Sequence, residues 1–236
     1  MTFDVEFIEN NNVLDVEFES VIQTGVDPEK VYNEGYNDGY AKAESENPLQ
    51  YIYVKGFQWY KIDFPEGFDF VLNLLNKPDD CNAMLFGAKG IKTATISCDV
   101  EGTVAYGQMF RDCTVEIVDL TKFKPLPTNI SYFAYYATKL KTILGAFDLS
   151  QCTAMTSAFA VANALEDIEF VPNTIKININ FAYSNNLTAK SIQSIIDGLA
   201  DLTGQTAQTV SWHSTVINKL TTEQYDQIIA KNWNFN

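Results

Sequence analysis

Leu165-Glu166-Asp167-Ile168-Glu169-Phe170 spaces its apolar residues as apolar-x-x-apolar-x-apolar, and upstream stretches repeat the arrangement. Ile91, Ala94 and Ile96 hold the same three places, and so do Val115, Val118 and Leu120. A further string keeps Leu140 and Ile143 but has Gly145 at the last place. Five to seven residues before each string stands a phenylalanine: Phe86, Phe110, Phe133 and Phe159, with Phe181 preceding a fifth anchor, Leu187. Those phenylalanines are 24, 23, 26 and 22 residues apart. The chain therefore carries one pattern in two registers, aromatic and aliphatic.

Periods of about 20–29 residues with such strings mark a leucine-rich-repeat solenoid, in which each turn supplies one short strand. We predict that fold, β-rich and of α/β type, with a helical C-terminal cap. Its repeats span 81–187, and Phe86, Phe110, Phe133, Phe159, Phe181, Ile91, Val115, Leu140, Leu165 and Leu187 form the repeating core. Cys113 follows Phe110 by three, where other repeats have Ala162 and Ser184, so it fills a small buried slot as a free thiol. Between the last two inward residues of each string lie Thr95, Asp119, Leu144 and Glu169, the possible ligand face. That column is mixed, mildly acidic and without an aromatic platform.

Solenoids expose their core at both ends and need caps. Over 188–236, Thr188 is expected to N-cap a helix with Ile192, Ile195, Ile196 and Leu199 on one stripe. A second helix is expected from Thr221 or Thr222, with Tyr225, Ile228 and Ile229 facing inward before Trp233 and Phe235. Residues 48–80, with strand-like runs at Tyr51–Val54, Trp59–Ile62 and Phe68–Leu72, form the N-terminal cap.

Residues 1–47 differ in character. Phe3, Val5 and Phe7 alternate with Asp4 and Glu6, and Leu14, Val16 and Phe18 alternate with Asp15, Glu17 and Glu19, which predicts a β-hairpin. A lone ribbon is marginal in water. Its apolar face (Phe3, Val5, Phe7, Val16, Phe18) either packs on the rest of the chain or, in the preferred reading, anchors to sister copies or a larger assembly. On that reading residues 48–236 fold and stay monomeric without it. Tyr32, Tyr36 and Tyr40 stand four residues apart, the last two each after a glycine, in a short helical or linker segment.

The chain has 30 acids against 16 bases, and residues 1–50 hold 12 of the acids with only Lys30 and Lys42. No basic face for nucleic acid is visible. No apolar run suits membrane insertion, and Met1-Thr2-Phe3-Asp4 does not open a secretory signal. His213 is the single histidine, which removes multi-histidine metal sites. Neither G-x-S-x-G, H-E-x-x-H nor a P-loop occurs, so no enzyme, catalytic residue, metal or cofactor is expected.

Phe64-Pro65-Glu66-Gly67, the repeats and Ser191–Thr209 together resemble leucine-rich-repeat proteins of bacteriophages and prophages of low-GC Gram-positive or gut bacteria. Lys219–Gln224 through Lys231-Asn232-Trp233 is similar to their closing cap, and the hairpin with Gly-Tyr tetrads to the opening of minor structural proteins from tail or baseplate regions. The resemblance implies a non-enzymatic virion protein, structural or host-adhesive, made in the host cytoplasm. Its implied partners are other virion proteins, its own copies and a host cell-surface receptor. The alternative is a bacterial surface adhesin encoded outside any phage.

Overall fold

Successive apolar strings lie side by side and parallel, in step through the first three and shifted at Gly145 before the end of the fourth. The computed structural model describes residues 2–10, 13–21, 63–74, 77–78 and 80–236. Its strands are β1 (Thr2–Asn10), β2 (Val13–Val21), β3 (Asp63–Leu74), β4 (Lys89–Cys98), β5 (Thr103–Ala105), β6 (Ile117–Asp119) and β7 (Leu126–Asn129). β8 (Thr142–Leu144), β9 (Ile179–Phe181), β10 (Gln208–Trp212) and β11 (Trp233–Phe235) follow. The main sheet has the order β1-β2-β3-β4-β6-β8 and is parallel from β2 onward. β5 pairs with β7, and β9, β10 and β11 form a small parallel sheet at the C-terminal end.

The turns that precede the strands are built alike, down to single hydrogen bonds. Leu85 N donates to Met109 O, Phe110 N to Phe133 O and Ala134 N to Ala158 O, each at 2.8 Å. Alternate amides close tight turns within the repeat instead: Ala88 to Leu85, Cys113 to Phe110, Ala137 to Ala134, Ala162 to Phe159 and Ser184 to Phe181. Buried backbone donors are thus satisfied either forward or locally. Two positions per turn are left-handed, Ala83 and Gly87, Gln108 and Asp112, Tyr132 and Tyr136, Ser157 and Val161. A left-handed L-residue costs roughly 1–2 kcal/mol, so the turn-to-turn bonds and the burial beneath them must offset that strain.

This lattice corrects the phase read from the phenylalanines. Equivalent buried positions are Leu85, Phe110, Ala134, Phe159 and Phe181, spaced 25, 24, 25 and 22 residues apart. Phe133 stands one place early, beside Met84, Met109 and Ala158 in the preceding column, and is still fully buried. Phe86 stands one place late. It is half-buried on the outward side, and Leu85 holds its expected place in the core. Counted from the corrected column, the small slot holds Ala88, Cys113, Ala137, Ala162 and Ser184, all buried.

Ile91, Val115, Leu140, Leu165 and Leu187 are all buried at the anchor position. The aromatic core runs along the stack: Phe110–Phe133 at 5.3 Å, Phe133–Phe159 at 6.1 Å, Phe159–Phe181 at 5.1 Å and Phe181–Trp212 at 5.9 Å between centroids. Such pairs add about 0.5–1.5 kcal/mol each to plain burial. Gly90, at φ +81°, lets the start of β4 meet β3 at its bulge, since a Cβ there would stand 2.0 Å from Phe64 O.

At the C-terminal end a helix replaces the next strand. Thr188 caps Ala189–Gly198, accepting from Ser191 N, and Ile192, Ile195 and Ile196 are buried. The amides of Ile168 and Phe170 find no further strand, and they donate to Ser191 Oγ (3.0 Å) and Ser194 Oγ (2.9 Å). Lys231 closes the far end of this helix by donating to Ile196 O, Asp197 O and Leu199 O. Thr221 and Gln224 form a capping box at the helix Thr222–Ala230. Its inward residue is Ile228; Tyr225 is half-buried, and Ile229 is 59% exposed, against expectation.

The hairpin is also present, with β1 antiparallel to β2 and Val5 opposite Phe18, Phe7 opposite Val16 and Phe3 opposite Ser20. It is not a lone ribbon. β2 pairs with β3, setting Leu14 beside Phe70 and Val16 beside Leu72. The expectation that it must be completed by partners loses its premise, because the chain itself extends the sheet. The Gly-Tyr segment and the strand-like runs at 51–62 lie outside the described residues.

Candidate binding faces

The strand side and the turn side of the repeats present two different faces. On the strand side Thr95 pairs with Asp119 and Asp119 with Leu144. Gly145 and Ala146 interrupt the next rung, so that Phe147 N, two residues later than the ladder would have it, donates to Glu169 O. The four expected ligand residues therefore form one row with a step in it. Two of them already have partners. Asp119 Oδ1 accepts from Thr121 N at 2.9 Å and Thr121 Oγ1 at 2.7 Å, turning the chain at the strand end. Glu169 is paired with Lys190. Thr95 is half-buried, and Leu144 is exposed.

Flanking this row is a charge ladder that the sequence reading missed. Lys92, Glu116, Lys141 and Glu166 each follow an anchor residue and alternate in sign. Their backbones bond in succession, Glu116 N to Lys92 O, Lys141 N to Glu116 O and Glu166 N to Lys141 O. Lys141 Nζ reaches Glu116 Oε2 at 3.0 Å. That lysine's hydrogen bond and charge hold the Glu116 carboxyl below the ordinary carboxylate range, and Glu116 in turn raises Lys141. Opposite charges on neighbouring strands favour the observed register, and solvent screens a pair as exposed as this one.

The turn side carries the feature that the strand row lacks. Phe86, Arg111 and Tyr135 occupy the same outward position in the first three turns. Arg111 is the chain's single arginine. Its guanidinium carbon lies 5.1 Å from the Phe86 centroid, 5.6 Å from Tyr132 and 5.4 Å from Tyr135. Gln108 Oε1 accepts from Nη1 at 2.9 Å and Asp112 Oδ2 from Nε at 3.3 Å, which fixes the group in place. Tyr132 and Tyr135 meet at 5.4 Å and 90°, Tyr135 and Tyr136 at 4.7 Å and 66°. Tyr136 is 47% exposed, and Tyr183 occupies its column two turns on. The sequence does not mark this column, because a count with Phe86 in the core places the outward position one residue too late.

The four cysteines and the single histidine sit in structural positions. All four cysteines are free and buried. Burial pushes the Cys113 thiol up to about 12 and also raises Cys81 and Cys152. His213 Nδ1 accepts from Thr215 N and so caps the short helix Ser214–Ile217. Among the described residues no group of three or more His, Cys, Asp or Glu side chains could hold a metal ion. A recess of about 60 Å³ lies against Gly145, lined by Tyr106, Phe123, Pro125 and Phe147, and holds room for only a few waters. No helix among the described residues is long and apolar enough to cross a membrane. Compared with known proteins, the chain matches no family model, no curated protein and no solved structure.

Proposed function

We propose that the chain is a leucine-rich-repeat solenoid that serves as a non-enzymatic protein of a phage virion, binding a host cell surface through its repeat body. The observation that supports this reading is the parallel register of successive turns, which lines up one residue per turn into long outward columns. Stacked repeats present extended surfaces of this kind for recognition. Residues 1–47 provide the attachment to the particle, through β1 as the outermost strand of the main sheet and through the acidic side chains of this part of the sequence. A strand at a sheet edge offers backbone groups to a further strand of a partner. The acidic composition of this segment suits a basic partner and weakens the contact as salt rises.

Mass spectrometry of purified particles, with antibody labelling in electron micrographs, tests the assignment. The chain is expected in stoichiometric amounts at one site on the virion. Finding it instead on the bacterial surface in cells without particles would favour a cellular adhesin. Purified protein added in excess should also compete with particles for adsorption to host cells. No competition would remove the adhesive role and leave a structural one.

A further inference from the structure

We propose that Phe86, Arg111, Tyr132, Tyr135 and Tyr136 form a saccharide-binding platform on the turn side of the repeats. The inference deepens the adhesion reading and rests on it for the source of the glycan. A sugar ring presents an apolar C–H face for stacking and a rim of hydroxyl or acid oxygens for hydrogen bonds. The platform offers both complements.

The rings brace one another edge to face, with Tyr132 and Tyr135 at 90° and Tyr135 and Tyr136 at 66°. Aromatic side chains held in this way lose little freedom when a ligand arrives. Among the described residues none of the three tyrosine hydroxyls has a hydrogen-bond partner, so each is open to a ligand. Arg111 is fixed by Gln108 and Asp112 through two of its five N–H groups. The others are left to donate to oxygens at the rim of a bound sugar.

Nothing in the core requires tyrosine at these positions. Tyr132 and Tyr136 stand at the two left-handed places of their turn, with φ of 57° and 59°, where glycine or asparagine fits with less strain. The equivalent places in the first turn hold Ala83 and Gly87. The third turn alone carries an aromatic residue at both.

Size favours a sugar over a protein partner. Three adjacent turns at the usual strand spacing cover about 10 Å along the stack, the length of one or two pyranose rings. A stable protein interface takes about 800 Å² from each partner, far more than five side chains supply. Neutral and acidic sugars share the need for an oxygen beside Arg111.

The full-length chain should be assayed on an array of bacterial surface oligosaccharides containing hexoses, N-acetylhexosamines and uronic acids, with neutral and phosphorylated members. Binding to at least one class is expected. Arg111→Ala and Tyr136→Ala should each weaken it tenfold or more, and Tyr135→Phe should weaken it less than Tyr135→Ala. Thr95→Ala, on the strand side, should leave it unchanged. If Arg111→Ala does not fold, Tyr136→Ala decides, since that ring stands half in solvent. No binding to any member, or binding that the platform variants leave intact, overturns the inference. Loss with Thr95→Ala alone also overturns it and moves adhesion to the strand face. The adhesion reading fails separately, if the protein does not adsorb to host cells whatever the array shows.

Discussion

At the scale of single residues, the repeat separates buried from exposed positions one place apart. Leu165 and Ile168 are fully buried, and Glu169 is exposed beside Lys190. Leu165→Ala or Ile168→Ala should destabilise the protein by about 2–5 kcal/mol in denaturant titration, whereas Glu169→Ala should change it by less than about 0.5 kcal/mol. Equal effects would contradict the register. The thiols give a second test. Cys113 is held neutral by burial up to about 12 from an ordinary 9.0. The unfolded chain ionises it first, so stability should fall as pH rises through that window, and Cys113→Ala should reduce the fall. Thiol titration should find four reactive groups after denaturation and almost none before. The strings were readable because buried and exposed places alternate in a fixed short pattern. Phe86 takes the core place in the sequence pattern because Leu85-Phe86 offers two adjacent large apolar residues, and a spacing of 24 residues cannot choose between them. Only the turn-to-turn hydrogen bonds fix that phase, and they are made by backbone that the sequence does not mark.

At the scale of elements, the most exposed liability is the edge where the repeats stop. The helix Ala189–Gly198 closes it with hydroxyls in place of a strand. Ser191 is buried and accepts from Ile168 N, so Ser191→Ala should leave that amide unsatisfied and cost about 1–3 kcal/mol. Ser191→Thr, which keeps the hydroxyl, should cost less, and thermal melting of the pair measures the difference. The helix was foreseen from Thr188 and its isoleucine stripe. The function of Ser191 and Ser194 was not, because a serine on a helix face gives no sign of which amide it will meet. The ladder of Lys92, Glu116, Lys141 and Glu166 is legible in the sequence as an alternation of sign one place after each anchor, a pattern independent of the apolar positions.

At the scale of the whole molecule, the N-terminal hairpin belongs to the same sheet as the repeats. Alternation predicted the hairpin itself, since a period of two is a local property. Its pairing with β3 joins positions more than fifty residues apart, and local pattern carries no information about that. The consequence reverses an expectation: a chain of residues 48–236 would expose the edge of β3 at Asp69–Asn73, where β2 otherwise pairs. It should melt lower than the full chain and self-associate on gel filtration. An unchanged melting temperature and a monomeric elution would restore the view of the hairpin as a separate anchor. Both proposed faces, and the columns that compose them, depend on the parallel register of neighbouring turns. Cysteine cross-linking tests it most directly, with Thr95→Cys paired either with Asp119→Cys on the adjacent strand or with Leu144→Cys one strand further. Paired residues on neighbouring strands fall within the roughly 4.4–6.8 Å Cα separation that a disulfide spans, and residues two strands apart do not. The account predicts rapid oxidation of the first pair and none of the second, whereas cross-linking of the second pair, or of neither, would contradict it.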